Sequence, residues 1–171
     1  MKTRQLFLIL LTAFLPIAVW ADVWQDPETK VNYEYTSGSG EAKVTKSYGI
    51  SGDITILDII AIDGTQYKVT EIAESAFENC QNLNKVNIPS SVTFIGDRAF
   101  YGCEELSSVK IPSSVTWIGH QAFYNCYSLT NISIPNLYLI GEETFFQCKS
   151  LTKVEIPYSV ESIWERAFYG S

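Results

Sequence analysis

The sequence predicts a repeat solenoid, mainly β, with a parallel sheet along one face, short helical or 3-10 return segments and a β-hairpin over its N-terminal end. Three observations carry that reading. The stretch Ile95-Gly-Asp-Arg-Ala-Phe-Tyr-Gly-Cys103 returns as Ile118-Gly-His-Gln-Ala-Phe-Tyr-Asn-Cys126. Phe77, Phe100, Phe123, Phe145 and Phe168 follow one another at intervals of 23, 23, 22 and 23 residues. Four other columns keep step: Cys80, Cys103, Cys126, Cys148; Leu83, Leu106, Leu129, Leu151; Val86, Val109, Ile132, Val154; and Ile88, Ile111, Ile134, Ile156. Self-similarity at a fixed period of roughly 20–50 residues marks units that stack rather than fold singly.

Residues 1–21 read as a secretory signal peptide. Lys2 and Arg4 form a short basic start, Leu6 to Val19 is almost wholly apolar, and Val19 and Ala21 make a small-residue cleavage pattern. The apolar run is short for a membrane span, which needs about 20 residues. Removing Lys2 and Arg4 leaves ten basic residues against 19 acidic ones, a net charge of −9. Nucleic acid and anionic membranes both demand a basic footprint, so neither is an expected partner, and no membrane insertion is expected after cleavage.

Residues 22–53 read as an N-terminal β cap. Val31-Asn-Tyr-Glu-Tyr35 and Glu41-Ala-Lys-Val-Thr45 alternate like strands around Ser37-Gly38-Ser39-Gly40. A solenoid needs such a cover over its first coil. Residues 54–171 are the repeats, one degenerate and about four of 22–23 residues, the last incomplete. In the degenerate one, Ile54-x-x-Leu57-x-x-Ile60-x-Ile62 matches Cys80-x-x-Leu83-x-x-Val86-x-Ile88 with three extra residues, and Asp63-Gly64 reads as a hairpin turn.

Within one unit, Leu106-x-x-Val109-x-Ile111 ends in the period-two alternation of a strand with one buried face. Pro112 stops it, because proline has no N–H for the ladder. Ser113-Ser114 makes a turn, Val115 and Ile118 point inward, and Gly119 is expected to permit a tight bend. Ala122, Phe123 and Cys126 have a spacing that fits a short helical or 3-10 segment. The few large apolar side chains of a single 23-residue coil do not offset the backbone entropy of ordering it, so the coils must stack.

The columns L-x-x-V-x-I-P and I-G-x-x-A-F-x-x-C resemble the BspA-type leucine-rich repeats, closely over 72–171 and loosely over 54–71. The lead-in Ile62-Asp-Gly-Thr-Gln-Tyr-Lys-Val-Thr-Glu-Ile72 is similar to that of the same family. The resemblance implies exported or surface-attached bacterial proteins, with relatives in parasitic protozoa, that bind host or neighbouring-cell proteins. This chain departs from the pattern at Pro135-Asn-Leu-Tyr-Leu-Ile140, which is one residue short, and at Ser171, which stands where a cysteine is due. No C-terminal cap or surface-sorting domain is recognisable after the last repeat.

Candidate chemistry is sparse. Four cysteines in an exported chain suggest disulfides, yet Ile54 and Ser171 occupy the same column, which reads as a buried slot holding free thiols. No disulfide is expected, and the spacing lacks the close cysteine pair of a zinc site, so no metal and no cofactor are expected either. The single histidine, His120, aligns with Asp97 and Glu142 and reads as a variable solvent-facing position. No nucleophile elbow, phosphate loop or zinc-protease motif occurs, so no catalytic residue is named and an enzyme is not expected. Asn131-Ile132-Ser133 is a glycosylation sequon, relevant only on a eukaryotic secretory route.

Two surfaces remain. Strand alternation turns Lys85, Asn87, Ser108, Lys110, Asn131, Ser133, Lys153 and Glu155 outward, a locally basic strip on an acidic chain. The alternative is an aromatic column, Tyr101, Tyr124, Phe146 and Tyr169, beside the repeated position of Phe94, Trp117 and Leu139. Stacked rings stabilise one another as well as forming interfaces, and packing is the favoured reading of that column. The functional expectation is an exported, secreted or cell-surface module for protein binding or adhesion, its partner an extracellular or cell-surface protein. The alternative is a structural spacer, or a fragment of a larger surface protein with no binding role of its own.

Overall fold

A computed structural model describes residues 21–171; the signal peptide expected at 1–21 therefore lies, apart from Ala21, outside the described residues. Its strands form two ladders that run along the solenoid. The first is a five-stranded parallel sheet in the order β13-β11-β9-β7-β4, made of Gly52–Thr55 (β4), Leu83–Asn87 (β7), Ser108–Lys110 (β9), Asn131–Ser133 (β11) and Lys153–Glu155 (β13). Val86 pairs with Val109, one repeat of 23 on, and Ile132 with Val154, a repeat of 22. The missing residue is thus absorbed in the turn after β11 without disturbing this sheet.

In β7, β9 and β11 the apolar column is buried and its neighbours are exposed or half-buried, as alternation requires, and in β13 Val154 is half-buried between two exposed residues. After the proline turn the chain makes a second, very short strand: Phe94–Ile95 (β8), Trp117–Ile118 (β10), Leu139–Ile140 (β12) and Ser162–Ile163 (β14). The strands β8 and β10 continue a second sheet, whereas β12 pairs only with β14. The ladder breaks at the shortened turn.

The cap is the expected hairpin and more. Asn32–Tyr35 (β2) and Glu41–Thr45 (β3) pair antiparallel, and Asp22–Gln25 (β1) adds a third strand outside them. The strand β3 then lies parallel to Thr65–Ile72 (β6), which passes the second sheet on to β8. Ile59–Ile62 (β5) pairs antiparallel with β6 through the Asp63-Gly64 turn. Both turn residues have positive φ, 49° and 81°, as a two-residue hairpin of this kind demands.

The return arms correct the expectation of helical or 3-10 segments. Among the described residues no helix of either kind occurs, and each arm is a run of separate turns. Two residues per arm are left-handed, at aligned positions: Ser75, Arg98, Gln121, Glu143 and Arg166 in one column, Asn79, Gly102, Asn125, Gln147 and Gly170 in the other. A right-handed helix has no place for a left-handed residue every fourth position. The gain is in hydrogen bonding. The N–H groups of Arg98, Phe100 and Gly102 donate to the carbonyls of His120, Ala122 and Tyr124 in the next coil, at 2.8–2.9 Å. The arm is therefore a third inter-coil ladder, which over-determines the costly conformation.

The core runs the length of the stack. Phe77, Phe100, Phe123 and Phe145 are fully buried and stack with centroids 5.2–5.5 Å apart. Glycine is needed at Gly96 and Gly119 for closeness rather than for a bend. Neither has positive φ, and a Cβ on Gly96 would lie 2.5 Å from the Glu74 backbone nitrogen.

Candidate protein-binding surfaces

The first sheet places all eight predicted strip residues on one outward face. Lys85, Asn87, Lys110, Asn131, Ser133, Lys153 and Glu155 are exposed and Ser108 is half-buried. Because the residues between them, Val86, Val109 and Ile132, are fixed in the core, the strip is rigid. It is shallowly concave, with a hollow of about 300 Å³ between β4 and β9 and one of about 210 Å³ between β11 and β13.

The strip is less basic than expected. Asp53 on β4 is the register partner of Lys85, and their charged atoms are 3.5 Å apart. Asn84 Nδ2 donates to the same carboxylate at 3.0 Å. Lys153 and Glu155 pair at 2.6 Å, and their mutual hydrogen bond raises the lysine pKa and lowers the glutamate's. Lys110 is left as the strip's lysine without an ion pair among the described residues. This register corrects the sequence alignment of the degenerate unit. Ile54 pairs with Val86 rather than standing level with Cys80, so it does not share the cysteine column, and Asp53 falls in the column of Lys85 where the alignment had put Ile59.

The aromatic column forms as four stacked rings, Tyr101, Tyr124, Phe146 and Tyr169, at 4.7, 4.5 and 5.4 Å. Arg98 lies 4.4 Å over Tyr101 and Arg166 5.2 Å over Phe146, each tied to a carboxylate, Glu78 or Glu143. Ring faces are thus taken by neighbouring rings and by guanidinium groups, which leaves mainly edges for a ligand. Phe94 and Trp117 stand apart from this column, on the second sheet.

His120 is not simply solvent-facing. It is half-buried; its backbone N–H donates to Asp97 Oδ1 at 2.8 Å, and its Nδ1 accepts the Glu142 N–H at 3.0 Å. Asp97 and His120 thus each accept the N–H of the aligned residue in the coil that follows, so this position closes backbone donors between coils.

The thiol column is more than an apolar slot. All four cysteines are free and buried. Cys103, Cys126 and Cys148 each direct Sγ at the carbonyl of the phenylalanine one coil back, Phe77, Phe100 and Phe123, at 3.1–3.3 Å. Ser171 Oγ makes the same bond to Phe145, which explains how serine shares the column. Among the described residues no group of histidine, cysteine and acidic side chains is placed to hold a metal ion, and no helix is long and apolar enough to cross a membrane.

Comparison with known proteins bears on this geometry. The BspA type leucine rich repeat region matches residues 59–171 in six copies. No match to a curated protein was found. A leucine rich repeat protein of T. pallidum is 35% identical with a TM-score of 0.74, over 85% of this chain and 67% of its own. A leucine rich cell surface protein of Faecalibacterium prausnitzii is 30% identical with a TM-score of 0.68, over 87% of this chain but 46% of its own. A leucine-rich repeat protein of Bacteroides capillosus is 26% identical with a TM-score of 0.59, over 84% of this chain and 97% of its own. The chain thus spans about two-thirds of the first of these structures and under half of the second.

Proposed function

Since the chain belongs to the BspA-type leucine-rich repeat family, whose fold is a scaffold for protein interaction, we propose that it is an exported adhesion module that binds surface proteins of a host or neighbouring cell through its first sheet. One observation carries this reading. The strip from Asp53 to Glu155 offers polar side chains at a fixed repeat on a backbone pinned by buried alternate residues. Rigid presentation lowers the ordering cost of association, which is what a binding face needs. The relative from Faecalibacterium prausnitzii is described as a cell surface protein, which supports export as the setting. Catalysis has no role in the proposal.

With Lys85 and Lys153 already paired, the strip offers its partner hydrogen bonds and one available cation rather than a basic field. The test is binding of the chain to intact cells and to extracellular-matrix proteins, with and without protease treatment of the target. Binding should vanish after proteolysis of the target surface. It should also vanish in the combined variant Lys85→Glu, Lys110→Glu, Lys153→Glu, with the circular dichroism spectrum unchanged. Normal binding by that variant, with loss in Tyr101→Ser plus Tyr124→Ser, would move the site to the aromatic column.

A further inference from the structure

The second sheet carries an aromatic groove that no feature of the first sheet requires. Phe94 on β8 and Trp117 on β10 are parallel within 8°, with centroids 6.4 Å apart. The rings of the return-arm column sit at 4.5–5.4 Å, so this pair covers itself less and leaves ring surface open. Phe94 is 38% exposed, and Trp117 is half-buried. Together they line a groove of about 510 Å³ whose other side chains are Glu71, Glu74, Asp97 and His120. The aromatic track runs on past the groove, since Trp164 packs on His120 with centroids 5.3 Å apart.

The groove is acidic, and it lacks a cation of its own. Glu71 and Glu74 have no ion pair among the described residues. Lys43, the register neighbour of Glu71, is held 3.0 Å from Glu34 instead. Arg98, next in sequence to Asp97, turns to Glu78 and Tyr101 on the return arm. Open aromatic faces ringed by uncompensated carboxylates suit one side chain above others. A guanidinium stacks flat on a ring and donates a fork of N–H groups to carboxylates. A neutral sugar can stack on the same rings but leaves the carboxylate charge unanswered. Coils spaced at strand distance, about 4.8 Å, make the track linear, which favours an extended segment.

We propose that this groove is a second interaction surface, taking arginine side chains from an extended basic segment of a partner protein. It is independent of the strip on the first sheet and stands or falls separately.

Fluorescence anisotropy of a labelled peptide of alternating arginine and serine, titrated with the chain, tests it. The peptide should bind, and its citrulline counterpart, nearly the same shape without the charge, should not. Trp117→Ser, Phe94→Ser and the pair Glu74→Gln, Asp97→Asn should each weaken binding about tenfold, as loss of a hot-spot contact does. Ser133→Ala on the first sheet should leave it unchanged. Phe94, the more exposed ring, keeps the test valid should Trp117→Ser lose the folded circular dichroism spectrum. Equal binding of the citrulline peptide, or full binding by folded Phe94→Ser, would overturn the proposal, the latter marking general attraction to an acidic chain. Failure of the arginine peptide while a neutral oligosaccharide binds would overturn it in favour of a glycan platform.

Discussion

Each cysteine from Cys103 to Cys148 is held by two constraints, a close-packed core and a carbonyl acceptor one coil back. Burial pushes the Cys148 thiol from its ordinary 9.0 up to about 12, and Cys103 and Cys126 also well upward. The folded chain therefore keeps protons that the unfolded chain releases above the ordinary thiol value, so stability falls as pH rises. We predict a decline in unfolding free energy from about pH 9 upward, approaching about 1.4 kcal/mol per pH unit for each buried thiol. Tyr33, pushed by burial from 10.0 to about 12, adds to it in the same direction. Urea titrations across this range should show a shallower decline for Cys126→Ala than for the parent; equal slopes would mean the thiols titrate normally. Native alkylation should leave all four unlabelled, and denaturation alone should expose them without a reductant. Gly96 sets a second residue-scale constraint. Gly96→Ala places its methyl against the Glu74 and Ala73 backbone, which does not yield as a side chain would, and should cost at least about 1–3 kcal/mol. Gly49→Ala, where nothing lies within 4 Å, meets only the strain of a φ of 66° and should cost about 1 kcal/mol. Matched denaturation midpoints for the two variants would remove the close-approach argument.

Four strands of the first sheet, β7, β9, β11 and β13, were legible because their apolar columns alternate with polar ones and end at a proline, two signals that agree. The strand β4 was not, because no proline follows it and the apolar residues at 57–62 imitate the same pattern. Leu106, fully buried at the head of that pattern, should lose about 2–5 kcal/mol on truncation to alanine, while Lys110→Ser should stay within about 0.5 kcal/mol. Equal chemical-denaturation midpoints would contradict the register. The short strands after each proline turn were not legible: β8, β10, β12 and β14 are two residues each, too short to show alternation. The return arms misled for a definite reason. The Ala122, Phe123, Cys126 spacing fits a helical turn, and Arg98, Gln121, Glu143 and Arg166 give no sign of the left-handed backbone they adopt. That backbone is imposed by the neighbouring coil's carbonyls, so no single unit of sequence contains its cause. Asn79, Asn125, Gly102 and Gly170, in the other left-handed column, are residue types that do tolerate it, and were the one local signal available.

At the scale of the whole molecule, three inter-coil ladders and a continuous phenylalanine stack make each coil depend on its neighbours, so the surface side chains can vary while the frame stays fixed. The strip was readable as a list of outward residues from alternation alone. Its charge was not, because the pairing of Lys85 with Asp53 crosses from a regular unit to the degenerate one. A weakly charged strip predicts a modest salt response: partner binding at about 0.1 M and at about 1 M salt, where the screening length falls from about 10 to about 3 Å, should differ by less than it would for a basic patch. The central claim is that the first sheet is the face the partner touches. Photo-cross-linking residues placed singly at Lys110, Ser133 and Tyr124 test it most directly, with the chain bound to target cells and the adducts counted by mass spectrometry. Adducts to a surface protein from positions 110 and 133, with none from 124, are the predicted result; adducts from 124 with none from 110 or 133 would contradict it.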